Sequence, residues 1–137
     1  MTSIYERITR AALAHPHFGV NAAEAWEQAC QALPGAPSTR RKGCPRSAFV
    51  SLAEHGYIRG HTPGPVRRPL TENASYCLVG AALLAEQPEL ARSKARLWEA
   101  IQKRGGITRH NHNGVLDVLL ALHQQGALVI QSPAHLL

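Results

Sequence analysis

Apolar residues recur at helical spacing in six stretches of this chain, each bounded by residues that cap or break helices. Ile4, Ile8, Ala11 and Ala12 share a face before Pro16, and Ser3 with Glu6 has the spacing of a capping box, so a first helix is predicted over about Ile4 to Ala14. Asn21 with Glu24 opens a second, which carries Ala22, Ala25, Trp26, Ala29 and Leu33 on one side. Pro45 suits the first turn of a third helix, because its missing amide proton would have no partner there; Ala48, Phe49 and Leu52 face inward, and Gly56 stops the helix after about His55. Thr71 caps a fourth through about Glu86, with Cys77, Leu78, Ala81, Ala82 and Leu84. Ser93 caps a fifth with Leu97, Trp98 and Ile101 on its buried side. The sixth begins near Asn113, carries Val115, Val118, Leu119 and Leu122, and stops near Gly126. Tyr57 to Arg59 and Ala127 to Ile130 read as short extended segments, and Ser132 to Leu137 as a tail.

The six helices fall into two sets of three. A shift of 70 residues brings Ala11, Ala12 and Leu13 onto Ala81, Ala82 and Leu83, and Leu52, Gly56 and Ile58 onto Leu122, Gly126 and Leu128. With a two-residue insertion, Pro16 meets Pro88, Asn21 meets Ser93 as cap, and Trp26-Glu27 meets Trp98-Glu99. The expected fold is mostly α, with two pseudo-symmetric three-helix units spanning 3–60 and 71–130 and a proline- and glycine-rich connector at 61–70. Each unit ends in a short extended segment, a winged-helix-like plan. A unit this small cannot bury its apolar face alone, so 1–137 is expected to form one compact domain with a joint core that includes Trp26, Phe49, Trp98 and Leu119.

The run Gly43-Cys44-Pro45-Arg46-Ser47-Ala48-Phe49, followed by Leu52, Glu54 and Gly56 and preceded by Ala25-Trp26-Glu27, resembles the GCPxxAFxxLxExG-like motif of an uncharacterised bacterial family of small proteins, a domain of unknown function. Asn113-Gly114, Asp117-Val118 and Leu120-Ala121-Leu122 are similar to the same family's C-terminal pattern, so the resemblance covers most of the chain. It implies no catalytic or binding residues.

Composition narrows the function classes. Aromatic residues are 5% of the chain against 45% apolar residues overall, which fits a core of small and aliphatic side chains. Cys30, Cys44 and Cys77 form an odd, widely spaced set without a CxxC pair, which argues against a disulfide framework or zinc ribbon and for a reducing, cytoplasmic setting. No apolar run approaches the ~20 residues needed to cross a bilayer, so no membrane partner is expected. No phosphate loop, dinucleotide fingerprint or nucleophile elbow is present, and no cofactor is called for.

The formal charge of +6 makes polyanions natural partners, and its placement sharpens the point. Arg40, Arg41 and Lys42 lead into the third helix and Arg46 stands in its first turn; Lys103, Arg104 and Arg109 precede the sixth. Helix N-termini add amide donors suited to phosphates. The third helix presents Ser47, Val50, Ser51 and Glu54 rather than a cluster of Arg, Asn and Gln, so backbone contact is expected over base reading. The leading expectation is a non-enzymatic regulatory or interaction module that contacts nucleic-acid backbone through these basic loops, or that engages a protein partner or a second copy through the Ala127 to Ile130 segment. The alternative is a Cys/His-dependent enzyme or metal-binding protein centred on Cys44, His110 and His112. There, a thiol at a cationic helix start would have a lowered pKa and could pair with a histidine.

Overall fold

The computed structural model describes residues 3–33, 43–62, 68–108, 111–112 and 114–129. The architecture is mostly helical, with six α-helices among the described residues: α1 Ile4–Ala14, α2 Ala22–Ala32, α3 Gly43–Glu54, α4 Glu72–Glu86, α5 Lys94–Gly105 and α6 Val115–Gln124. A 3-10 helix, Pro88–Arg92, follows α4; the helical periodicity gave no sign of it, because five residues carry too little pattern. No helix among the described residues is long and apolar enough to cross a membrane.

Four helix starts are fixed by the caps their sequence supplies. The Ser3 hydroxyl accepts from the Glu6 amide at 3.2 Å and the Asn21 side-chain oxygen from the Glu24 amide at 3.0 Å. Thr71 and Ser93 do the same for Ala74 and Arg96, each at 3.3 Å. Such a cap satisfies an amide left unbonded by the first turn and is worth ~1 kcal/mol. The third helix starts two residues earlier than its proline implied, at Gly43.

The helices interleave. The first, α1, packs on α2 but also on α6; α4 packs on α5 but also on α3; and α3 and α6 touch one another. One continuous core results, drawn from every helix, with Trp26, Phe49, Trp98 and Leu119 all within it. The Trp26 ring lies 5.2 Å from that of Phe49, and Trp98 stands edge-on to Tyr76 at 5.5 Å. In the interior of α4, Gly80 lets two neighbours approach: a Cβ there would meet Leu119 and lie 2.9 Å from Ile101 Cδ1.

At one end of the α3 and α6 pair, the two C-terminal tails meet. After α3, the Tyr57 amide donates to the Leu52 carbonyl at 2.9 Å; after α6, the Ala127 amide donates to that of Leu122 at 3.0 Å. Gly56 and Gly126 take φ of 83° and 63° in these turns. The extended segments then form one antiparallel bridge, Ile58 to Leu128, with the Arg59 amide donating to the Ala127 carbonyl at 2.7 Å and the Val129 amide to the Tyr57 carbonyl at 2.8 Å. Of the strand expected over Ala127 to Ile130, residues 127–129 are described and contribute this isolated bridge; Ile130 lies outside the described residues.

Candidate functional site

The opposite end of the same helix pair brings their N-termini together. Gly114, the residue that starts α6, has φ 83° and is buried; a Cβ on it would lie 2.9 Å from Pro45 Cγ of α3 and 2.8 Å from Tyr5 Cδ2 of α1. The start of α3 therefore abuts the start of α6 with α1 beside them. Arg40, Arg41 and Lys42, which precede α3 in sequence, lie outside the described residues, as do Arg109 and His110, which precede α6.

The described cations of this set are all in ion pairs. The Arg46 Nε is 3.5 Å from Glu27 Oε1, both groups being more than a third exposed. Lys103 pairs with Glu99 one turn earlier at 3.2 Å, and an Arg104 guanidinium nitrogen donates to Glu86 Oε2 at 2.9 Å. These two stand in the last turn of α5, where positive charge also complements the helix dipole. Exposed pairs of this kind contribute ~0–1 kcal/mol each, so none is locked against a competing anion.

Cys44 is a free, half-buried cysteine packed at the edge of the core. Its neighbour in the alternative reading, His112, is half-buried with its ring 5.9 Å from Trp98. Burial lowers the His112 pKa below its ordinary 6.5; the charge of Asp117 works against that shift and the charge of Lys94 with it. Cys77 is fully buried, which pushes its thiol pKa up to about 12 and leaves it a packing group. Among the described residues no three His, Cys, Asp or Glu side chains cluster as metal ligands would.

Two features were not visible in the sequence. The first is a charged cluster joining three helices: Lys94, at the start of α5, contacts Asp117 of α6 and has its Nζ 3.6 Å from Glu6 Oε1 of α1. Asp117 and Glu6 are only 9% and 12% exposed, so two nearly buried carboxylates depend on one cation. Burial alone pulls the Lys94 pKa down, but its hydrogen bond to Asp117 and the charges of Asp117 and Glu6 outweigh burial and hold it above 10.5. Removing the ammonium by Lys94→Met is expected to destabilise the fold by about 1–3 kcal/mol, less than for a fully enclosed pair because Lys94 is 39% exposed. Because the folded pKa is raised, this contribution is present in full below pH 10.5 and fades as pH climbs through the folded value. Chemical denaturation at neutral and alkaline pH should show the wild-type advantage shrinking above that pH.

The second concerns the face of α3 expected to be open. Val50 and Ser51 are each only 5% exposed, because the chain from Arg68 to Thr71 lies across them. Thr71 donates its amide proton to Ser51 Oγ at 3.0 Å and its hydroxyl proton to the Ser47 carbonyl at 3.4 Å. The His55 Nε2 is 3.0 Å from the Arg68 carbonyl, and an Arg68 guanidinium nitrogen donates to Glu54 Oε2 at 2.6 Å. What is left open between α3 and this segment is a cleft of about 130 Å³. Covered in this way, α3 lacks the bare outer surface of a helix that reads base edges in a major groove.

Among the described residues, the site and the fold together comprise six α-helices around one core, two abutting helix starts and no group of three side chains placed to hold a metal ion. Residues 2–129 match the family of unknown function DUF6979, and the chain belongs to that family. No curated protein and no solved structure matches it.

Proposed function

We propose that the protein is a non-enzymatic interaction module that contacts the phosphate backbone of nucleic acid with the end of the molecule where α3 and α6 begin. The observation that carries this reading is the contact of Pro45 with Gly114, since it joins the start of α3, which follows Arg40, Arg41 and Lys42, to the start of α6, which follows Arg109. The cations that adjoin these two helix starts then act on one anionic strand. Most of the binding free energy comes from counterion release, so affinity falls steeply with salt and little with base sequence.

The same reading takes the chain as two copies of one three-helix unit arranged about a pseudo-twofold axis. In support, Ile58 and Leu128, 70 residues apart, pair with each other, and the bonds that flank them join Arg59 to Ala127 and Val129 to Tyr57. An element and its own counterpart pair antiparallel in this way across a twofold axis.

Fluorescence anisotropy with labelled duplex DNA and single-stranded RNA tests the function. Binding is expected at about 50 mM salt and should weaken by orders of magnitude by about 200 mM. Replacing Arg40, Arg41 and Lys42 together by alanine should lower the slope of log affinity against log salt by ~0.9 for each duplex phosphate that the variant no longer neutralises. Absence of measurable binding to either nucleic acid at low salt overturns the reading.

A further inference from the structure

The cleft between α3 and the Arg68 to Thr71 segment has the composition of an oxyanion seat. It is lined by Arg46, Arg68 and Glu54 and by the hydroxyl-bearing residues Ser47, Ser51 and Thr71, and each arginine is paired with one carboxylate, Arg68 with Glu54 and Arg46 with Glu27. Nearly buried Ser51 accepts the Thr71 amide proton, which orients its hydroxyl oxygen and leaves its own proton for a further acceptor. The Thr71 hydroxyl is already engaged, donating to the Ser47 carbonyl and accepting from the Ala74 amide. Available donors in the cleft are therefore the Ser51 and Ser47 hydroxyls and the two arginines.

The backbone around these groups is fixed. His55 holds the Arg68 carbonyl and Ser51 holds the Thr71 amide, so the segment opposite α3 is tied to it at both ends. The cleft, of about 130 Å³, is open on one side, which leaves room for a tetrahedral anion with its substituent directed outward. Arg68 is held by Glu54 and Arg46 by Glu27, but each guanidinium has five N–H donors, so it can keep a carboxylate and still present a second edge to an anion.

We propose that this cleft seats a phosphoryl group, held between Arg46 and Arg68 with hydrogen bonds from Ser47 and Ser51. A nucleic-acid backbone phosphate and a free phosphate-bearing small molecule present the same chemistry to it. Its assignment to the backbone rests on the polyanion reading above; the seat itself does not.

The test is an amide-resolved NMR titration of the full chain with inorganic phosphate at constant ionic strength, repeated with a short single-stranded oligonucleotide. Phosphate is expected to shift the amides of Ser47, Ser51 and Thr71 saturably, and the double variant Arg46→Gln, Arg68→Gln to weaken that binding at least about tenfold. Both arginines are partly or well exposed, and the variant's own spectrum reports that it is folded. Shifts that do not saturate at these amides, or equal phosphate binding by the double variant, overturn the seat whether or not the oligonucleotide binds. If the oligonucleotide shifts the same amides, the seat takes a backbone phosphate. If phosphate saturates the cleft and no oligonucleotide binds, the seat stands as a small-molecule site and the polyanion reading falls.

Discussion

Residues 1–66 expressed alone will show no cooperative unfolding transition, although they contain all of α1, α2 and α3. The fragment keeps the packing of α2 on α1 and α3 but is deprived of α6 against α1, and of both α4 and α6 against α3. Specific ties go with them. The Glu6 carboxylate loses Lys94, Tyr5 loses the Gly114 backbone it packs against, and Ile58 loses its pairing with Leu128. Phe49 and Leu52, fully buried in the intact chain, belong to a helix whose flanking partners come mostly from the other half. A chain of this size buries only ~60% of its unfolded surface even when its core is its own, so losing shared packing removes the margin. Circular dichroism should show partial helix without a sigmoidal denaturation curve, and mixing with residues 67–137 should restore one. A monomeric fragment that unfolds cooperatively would show instead that the first half carries a sufficient core.

Gly114→Ala should be strongly destabilising. At φ 83° a side chain costs ~1–2 kcal/mol on backbone grounds alone. Here the new Cβ also meets Tyr5 and Pro45 at 2.8 and 2.9 Å, in a buried junction where overpacking costs a further ~1–3 kcal/mol. The sum, roughly 2–5 kcal/mol, is a large share of the ~5–15 kcal/mol typical of a domain. Gly126→Ala is the control. Its φ of 63° is equally left-handed, but no atom lies within 4 Å of the added Cβ, so only the backbone cost of ~1–2 kcal/mol applies. Thermal or urea denaturation of the two variants separates the contributions; equal losses would show that Gly114 is not a packing junction. If the proposed backbone contact is made where α3 and α6 begin, the Gly114 variant should also weaken nucleic-acid binding, and the Gly126 variant should not.

Much of the secondary structure was legible because its causes are local. Ser3, Asn21, Thr71 and Ser93 each cap the helix their spacing announced, and the three or four residues involved carry all the needed chemistry. The candidate site was legible only in part. The Lys103–Glu99 pair follows from i,i+4 spacing, whereas Arg104 meets Glu86 and Arg46 meets Glu27 across helix interfaces that no local pattern specifies. Asp117 looks in sequence like an exposed acid in a first turn; its burial against Lys94 depends on α1 and α5 arriving from elsewhere. Val50 and Ser51 read as an open helix face for the same reason, since the segment that covers them lies about twenty residues downstream.

By itself, the sequence determined the caps and approximate limits of the six α-helices among the described residues, the placement of the tryptophans in the core, and the concentration of cations before α3, because periodicity, capping and composition act within a turn or two of chain. Only the tertiary structure decided that α1 reaches across to α6 and α4 to α3, that Pro45 meets Gly114, and that a cleft with two arginines lies beside a covered helix face. Those outcomes depend on which apolar faces bury one another. Burial is non-directional and additive over the whole core, so it is settled by the complete packing and not by any one segment.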